Sequence, residues 1–201
     1  MEHDPSPCTA EMVIAGCREG IFPMADPDTG LLHWYAPDPR AILPLDEFHV
    51  PRSLERTIRA GKFEVGIDEE FDAVIGRCAD SRGAEERWID SRIHAAYREL
   101  HKRGLAHSIE ARRDGVLVAG LYGVALGGAF FGESMFSDPI EGRDGSKVCL
   151  VHLVKHLLNQ GFVLLDVQFT TAHLERFGCI TIPRSEYLLR LEAALSREVR
   201  F

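Results

Sequence analysis

The feature that most constrains this chain is a change of hydrophobic period at Ala106. From there, three apolar runs, His107–Arg112, Val116–Ala125 and Ala129–Phe136, are separated by Asp114-Gly115 and Gly127-Gly128. Asp-Gly and Gly-Gly between apolar runs are tight-turn signals, because only such pairs readily take the left-handed backbone of a two-residue hairpin. The run predicts an antiparallel meander. After a polar loop from Asp138 to Gly145, helical spacing returns, with Ser146 as N-cap and Leu150, Leu153, Val154 and Leu157 on one face before Gly161. A continuous apolar start marks Phe162–Phe169 as a buried strand, and Tyr187–Leu195 as a last helix. The order β-β-β-α-β-α requires a mixed sheet with a helix crossing between strands, an α/β or α+β fold.

Upstream the texture differs. Thr9 caps a short helix to Arg18, closed by Gly20, and a turn-rich segment runs from Phe22 to Arg40. Residues 51–104 carry three helical stretches: one opened by Pro51, one capped by Asp68 with Phe71, Val74, Ile75 and Cys78 in phase, and one capped by Asp90 or Ser91 with Ile93, Tyr97 and Leu100 on one face.

Several classes of chemistry are excluded. No run approaches the roughly 20 apolar residues that span a bilayer, and the N-terminus lacks the basic start and apolar core of an export signal. The five cysteines are scattered and form no Cys-x-x-Cys pair. They read as reduced thiols, so the chain is expected in the cytoplasm. Gly142 to Lys147 lacks phosphate-loop spacing, and there is no Gly-x-Ser-x-Gly elbow. His152 and His156 share a helical face, but Leu153 stands where a zinc protease needs glutamate and no third ligand is evident, so no metal is expected.

Three polar features stand out. Asp166 and Gln168, two apart on a strand with an apolar start, emerge on one side at its C-terminal end, the edge where open α/β sheets carry their sites. Glu133 interrupts the apolar run Ala129–Phe136, and a carboxylate there needs a partner or solvent. Arg52, Arg56 and Arg59 share one helical face, with Arg40 and Lys62 just outside. In a chain with a net charge of −8, that local basic strip is the hint of a phosphate partner.

Taken together, the motifs resemble the leucyl/phenylalanyl-tRNA–protein transferases. The matching runs are Gly20-Ile21-Phe22-Pro23, Trp34 to Arg40, Ala95-Ala96-Tyr97 with His101, His107 to Glu110, Gly120 to Val124, Gly132 to Ser137, Ser146-Lys147, Asp166-Val167-Gln168 and Ile182-Pro183-Arg184. They appear in family order from about residue 10 to 190, and Gly-Glu-Ser-Met-Phe-Ser followed by Asp-x-Gln is the specific combination. The resemblance implies an acetyltransferase-like catalytic domain over 63–201 and a small, tRNA-contacting N-terminal domain over 1–62. It also implies the reaction: a leucyl, phenylalanyl or methionyl group, carried as an ester on tRNA, moves to the α-amino group of a protein beginning with Arg or Lys. That transfer marks the acceptor for degradation under the N-end rule. No cofactor is implied, and a monomer is expected.

By motif match, Asp166 and Gln168 take the catalytic positions, with Asp166 orienting and polarising the Gln168 amide. Glu133 would hold the donor's α-amino group. Trp88 and Tyr97 would surround the aminoacyl-adenosine end, while Leu121, Phe130, Met135, Ser137, Leu150, Leu153 and Leu165 would complete the aminoacyl site. Arg40, Arg52, Arg56 and Arg59 would meet the tRNA. Met24 departs from the pattern, standing where some members have a tryptophan beside the aminoacyl end. Two alternatives compete with this reading. One is an acetyl-coenzyme A-dependent transferase of the same superfold, disfavoured by Asp138, Glu141 and Asp144 in the loop where a pyrophosphate would sit. The other is a non-catalytic tRNA-binding homologue, disfavoured by the intact Asp166, Gln168 and Glu133.

Overall fold

The computed structural model describes residues 6–81, 83 and 87–201. The elements in chain order are α1 (Ala10–Glu19), β1 (Phe22–Ala25), β2 (Leu32–Tyr35), β3 (Arg40–Leu43), α2 (Arg52–Arg59), β4 (Glu64–Ile67), α3 (Phe71–Asp80), α4 (Ser91–Lys102), β5 (Ala106–Arg113), β6 (Val116–Leu126), β7 (Ala129–Ser137), α5 (Gly145–Gln160), β8 (Leu164–Gln168), α6 (Ala172–Glu175), β9 (Ile180–Ile182) and α7 (Arg184–Leu195).

The main sheet has seven strands in the order β4-β5-β6-β7-β8-β3-β9. The β5–β6–β7 meander folds as its two glycine turns dictate, and α5 carries the chain across to β8, which pairs parallel with β7. All other pairs in the sheet are antiparallel. Helices cover both faces. On one, residues of α1, α3, α4 and α7 close a core around Tyr97, Tyr122 and Phe131. On the other, α5 and Leu54 of α2 pack with Phe130, Leu121 and Leu165. The mixed sheet with flanking helices is the fold class expected from the periodicities.

Most local signals act as read. Thr9 accepts from the Met12 N–H, Gly20 ends α1 in the left-handed conformation, and Asp90 accepts from the N–H groups of Arg92 and Ile93. Two caps are different. Asp68 does not cap α3: its carboxylate turns to the Ser108 N–H and the His107 ring, tying β4 to β5. Ser146 lies inside α5, and its N–H donates to the Ser137 hydroxyl on β7.

Five strands escape a periodicity reading because each is only three or four residues long. The turn-rich segment contains the antiparallel ribbon β1–β2 and then β3, and β4 and β9 form the sheet edges. β3 is inserted between β8 and β9. The stretch 1–62 therefore shares the main sheet with 63–201 rather than standing apart from it. That insertion places Arg40 beside Asp166. Among the described residues, no helix is long and apolar enough to cross a membrane.

Candidate active site

The parallel pairing of β7 with β8 lasts only from Ala129–Phe131 against Leu164–Asp166. Immediately beyond it, β7 bulges. Tyr122 faces Ser134 and Gly123 faces Gly132, so Glu133 is the extra residue. A bulge locally re-aims a side chain and ends regular pairing. A cavity of about 370 Å³ opens there, lined from both strands. Leu121, Met135, Leu150, Leu153, Leu165 and Leu174 make its apolar walls. Glu133, Ser134, Gln168, Thr171 and His173 supply its polar groups, and Phe22, Trp88, Tyr122 and Phe169 its rings.

Glu133 is the chemically unusual group. Burial pushes its carboxyl up to about 8, and the nearby Asp166 carboxylate adds to the rise. The Tyr97 hydroxyl and the Arg40 guanidinium oppose it without cancelling it. Tyr97 is itself fully buried, and its hydroxyl reaches toward Glu133 without a hydrogen bond of ordinary geometry. Glu133 therefore holds its proton more readily than an ordinary glutamate where it faces the mostly apolar cavity, and a cation placed beside it would favour its charged form.

Asp166 is surrounded by donors. It is fully buried and accepts four hydrogen bonds: from Arg40 Nε at 2.9 Å and Nη2 at 2.6 Å, from the Tyr187 hydroxyl at 2.8 Å, and from the Gln168 backbone N–H at 2.9 Å. Four donors fill the acceptor sites of a carboxylate, leaving none for a substrate proton. Arg40 is held in turn by the Gly20 carbonyl and lies between the rings of Phe22 and Tyr187, at 5.0 and 4.8 Å. Burial works against its charge, but Asp166 more than reverses this and the guanidinium holds its proton more tightly.

Gln168 ends β8 in a three-residue turn in which the Phe169 N–H donates to the Val167 carbonyl, and its φ is 58°. A non-glycine residue in the left-handed region costs about 1–3 kcal/mol and persists only where the surroundings impose it. Here Asp166 imposes it through the Gln168 N–H. The link between the two residues is thus backbone, not a contact of the carboxylate with the side-chain amide.

Of the residues expected in the site, Glu133, Gln168, Trp88, Leu121, Met135, Leu150, Leu153 and Leu165 line the cavity. The others sit elsewhere. Asp166 lies beneath the wall. Tyr97 is buried in the core, edge-on to Tyr122 at 5.5 Å, so its face is not open to a base. Phe130 points to the α5 side and stacks on Phe201 at 5.4 Å. Ser137 anchors the start of α5. Arg52, Arg56 and Arg59 are exposed on α2, Arg59 lying 3.9 Å from Glu55. Arg40 does not belong with them: at 1% exposure it cannot meet a phosphate. Sequence spacing missed this because Arg40 precedes α2 by a loop and turns into the sheet with β3.

Cavity residues not singled out by sequence reasoning as site residues include Phe22, Thr171 and His173. Phe22 belongs to one of the matching runs, and the other two follow Asp166-Val167-Gln168 closely enough to have been suspected. Burial, with Lys147 and Arg176 nearby, holds His173 below the usual histidine range.

The loop before α5 explains its own glycines. A Cβ on Gly142 would strike the Val118 carbonyl oxygen, and one on Gly145 would meet the Ala119 Cβ at 2.5 Å. Close packing against β6 accounts for both glycines without a bound pyrophosphate. Among the described residues, no group of three or more His, Cys, Asp or Glu side chains is placed to hold a metal.

Comparison with known proteins agrees with this architecture. The family model described as leucyl/phenylalanyl-tRNA protein transferase matches residues 42–192, and that of its N-terminal domain matches residues 8–38. Proteins named leucyl/phenylalanyl-tRNA–protein transferase from Rubrobacter xylanophilus and Salinibacter ruber are 52% and 50% identical. The matches cover 96% and 95% of this chain and 98% and 82% of theirs. Among solved structures, a GCN5-related glucosamine N-acetyltransferase region of a fungal multi-domain enzyme shares the fold. Its TM-score is 0.52 at 14% identity, covering 73% of this chain and 20% of that one. With a family model matched over most of its length and relatives at half identity or better, the chain belongs to the leucyl/phenylalanyl-tRNA–protein transferase family and is an aminoacyltransferase.

Proposed function

We propose that the protein moves a leucyl or phenylalanyl group from the 3′ end of its tRNA to the α-amino group of a cytoplasmic protein beginning with Arg or Lys, marking that protein for degradation. The observation that carries this reading is the cavity at the β7–β8 junction, whose lining combines an apolar wall with Glu133 and Gln168. An apolar side chain fits the Leu121, Met135, Leu150, Leu153 and Leu165 wall by burial. The donor's α-amino group falls to Glu133, whose raised carboxyl is drawn toward its charged form by an approaching ammonium.

The ester carbonyl then lies toward Gln168, whose side-chain amide meets the attacking amine or the oxyanion. In the transfer, the amine nitrogen forms the new amide bond while the bond from the carbonyl carbon to the 3′ oxygen breaks. The proton lost by the amine leaves with that oxygen. Asp166 acts through Gln168 as a positioning residue: with four hydrogen bonds already accepted, it fixes the turn and takes no proton. The exposed Arg52, Arg56 and Arg59 offer a face for acceptor-stem phosphates.

The test is direct. The protein is incubated with labelled Leu-tRNA and an Arg-starting peptide, and in parallel with acetyl-coenzyme A and the same peptide. Leucyl-peptide in the first and no acetyl-peptide in the second is the expected result. The reverse overturns the reading.

A further inference from the structure

The cavity opens onto a run of rings that the reaction itself does not use. At its mouth Phe22 and Phe169 meet edge to face, centroids 5.8 Å apart at 87°. Phe22 also stacks on Tyr35, its register partner across the β1–β2 ribbon, at 6.1 Å and 22°. His33 then meets Tyr35 edge-on at 6.4 Å. Exposure along the run is not that of a core. Phe22 is 7% exposed and anchors the middle, whereas Tyr35 is 40% and Phe169 50% exposed. Single exposed aromatic rings are ordinary, but a connected run leading out of a cavity marks a binding path.

We propose that this run, with Tyr35 as its outer step, is a stacking platform for the nucleobases that precede the terminal adenosine in the single-stranded 3′ end of the donor RNA. The inference rests on the reading that the donor is an aminoacyl-tRNA. If the ester sits between Glu133 and Gln168, the nucleotides behind it must leave by the mouth, over Phe22 and Phe169. Flat rings accept any base, since every base has a π-face.

The test compares Tyr35→Leu, which keeps apolar cover over Phe22 but removes the flat face, with Tyr35→Trp, which keeps a face. Initial rates are measured with leucyl-adenosine, leucylated CCA trinucleotide and Leu-tRNA as donors. With Tyr35→Leu, KM for the trinucleotide and the tRNA should rise about tenfold with kcat unchanged. KM for leucyl-adenosine should stay at the parental value, and Tyr35→Trp should restore the longer donors. An equal loss with all three donors, no loss with any, or a change confined to the acceptor's KM would overturn the platform. The last result would assign the rings to the acceptor chain.

A binding measurement separates this inference from the reaction itself. Anisotropy of a fluorescent hairpin RNA ending in single-stranded, unacylated CCA should show about tenfold weaker binding to Tyr35→Leu than to the parent. Unchanged binding overturns the platform even where transfer proceeds. Weakened binding in a protein that transfers nothing keeps the platform and overturns the proposed reaction.

Discussion

The Arg40 guanidinium meets both oxygens of the Asp166 carboxylate, Nε to Oδ1 at 2.9 Å and Nη2 to Oδ2 at 2.6 Å, with both side chains out of solvent. The pair joins the end of β8 to β3, and through the Gly20 carbonyl to the end of α1. It is therefore a joint in the fold and the support of the turn that presents Gln168.

Breaking this pair from one side should be costly. Asp166→Asn leaves a buried guanidinium facing a neutral amide, and Arg40→Met leaves a buried carboxylate with two of its four donors. Each should lose about 3–5 kcal/mol in urea unfolding. The double variant should lose less than the sum, because it strands neither charge. Strict additivity would show that the two groups are not energetically coupled.

The same joint should appear in kinetics. At a temperature where Asp166→Asn remains folded, turnover should fall about tenfold or more while the Michaelis constant for aminoacyl-tRNA changes little, the pattern of an interaction that matters mainly in the transition state. Parental turnover would remove Asp166 from any role in positioning Gln168.

How much of this was legible beforehand follows the range of each interaction. The glycine turns set the meander, and the caps at Thr9 and Asp90 set their helices, because those signals act within a few residues. Glu133 could be singled out because a carboxylate in an apolar run is an anomaly, but not that a bulge turns it into the cavity, since a bulge depends on the register of two strands. Charge and proximity in sequence group Arg40 with Arg52, Arg56 and Arg59. Its true partner lies 126 positions away, and only the insertion of β3 between β8 and β9 reveals it. Tyr97 and Phe130 show the same limit, for an aromatic residue beside a site and one beneath it read alike in sequence.

Glu133 makes a prediction about pH. Its carboxyl sits at about 8 in the folded protein against 4.5 ordinarily. Below about pH 4.5 both states hold the proton and the residue is neutral to stability. Between there and pH 8 the unfolded chain releases a proton that the folded one keeps, so stability falls as pH rises. Above 8 the full penalty is in place. Glu133→Gln removes it, and should exceed the parent by about 1–3 kcal/mol at pH 8.5, discounted for water in the cavity, with the gap closing toward pH 4.5. Urea midpoints across that range check it. A gap independent of pH would place the Glu133 carboxyl in the ordinary range.

The exposed helix face of Arg52 and Arg56 should reveal itself through salt. Changing both to Ala should weaken tRNA binding and lower the slope of log affinity against log salt by about two, one for each lost phosphate contact. Unchanged affinity and slope would leave the strip as a solvated surface.

The cavity wall gives the last prediction. Leu153 projects from α5 into the cavity beside Leu150, opposite Leu165 of β8. It is 1% exposed, so a larger side chain there has little room to turn away. Leu153→Phe should fill space that the donated side chain needs, and overfilling costs more as the ligand grows. Phenylalanyl transfer should therefore fall further than leucyl transfer, by up to about tenfold in the ratio of kcat/KM values, within the 1–3 kcal/mol that a methylene-scale change in an apolar pocket supplies. Arg- and Lys-starting acceptors should be affected alike, because in the proposed reaction the acceptor approaches from beyond the ester, on the Gln168 side. Competition between Leu-tRNA and Phe-tRNA with each acceptor reads both ratios at once. A shifted acceptor preference with an unchanged leucyl-to-phenylalanyl ratio would mean that the Leu150–Leu153 wall faces the acceptor, and that the donor side chain lies elsewhere.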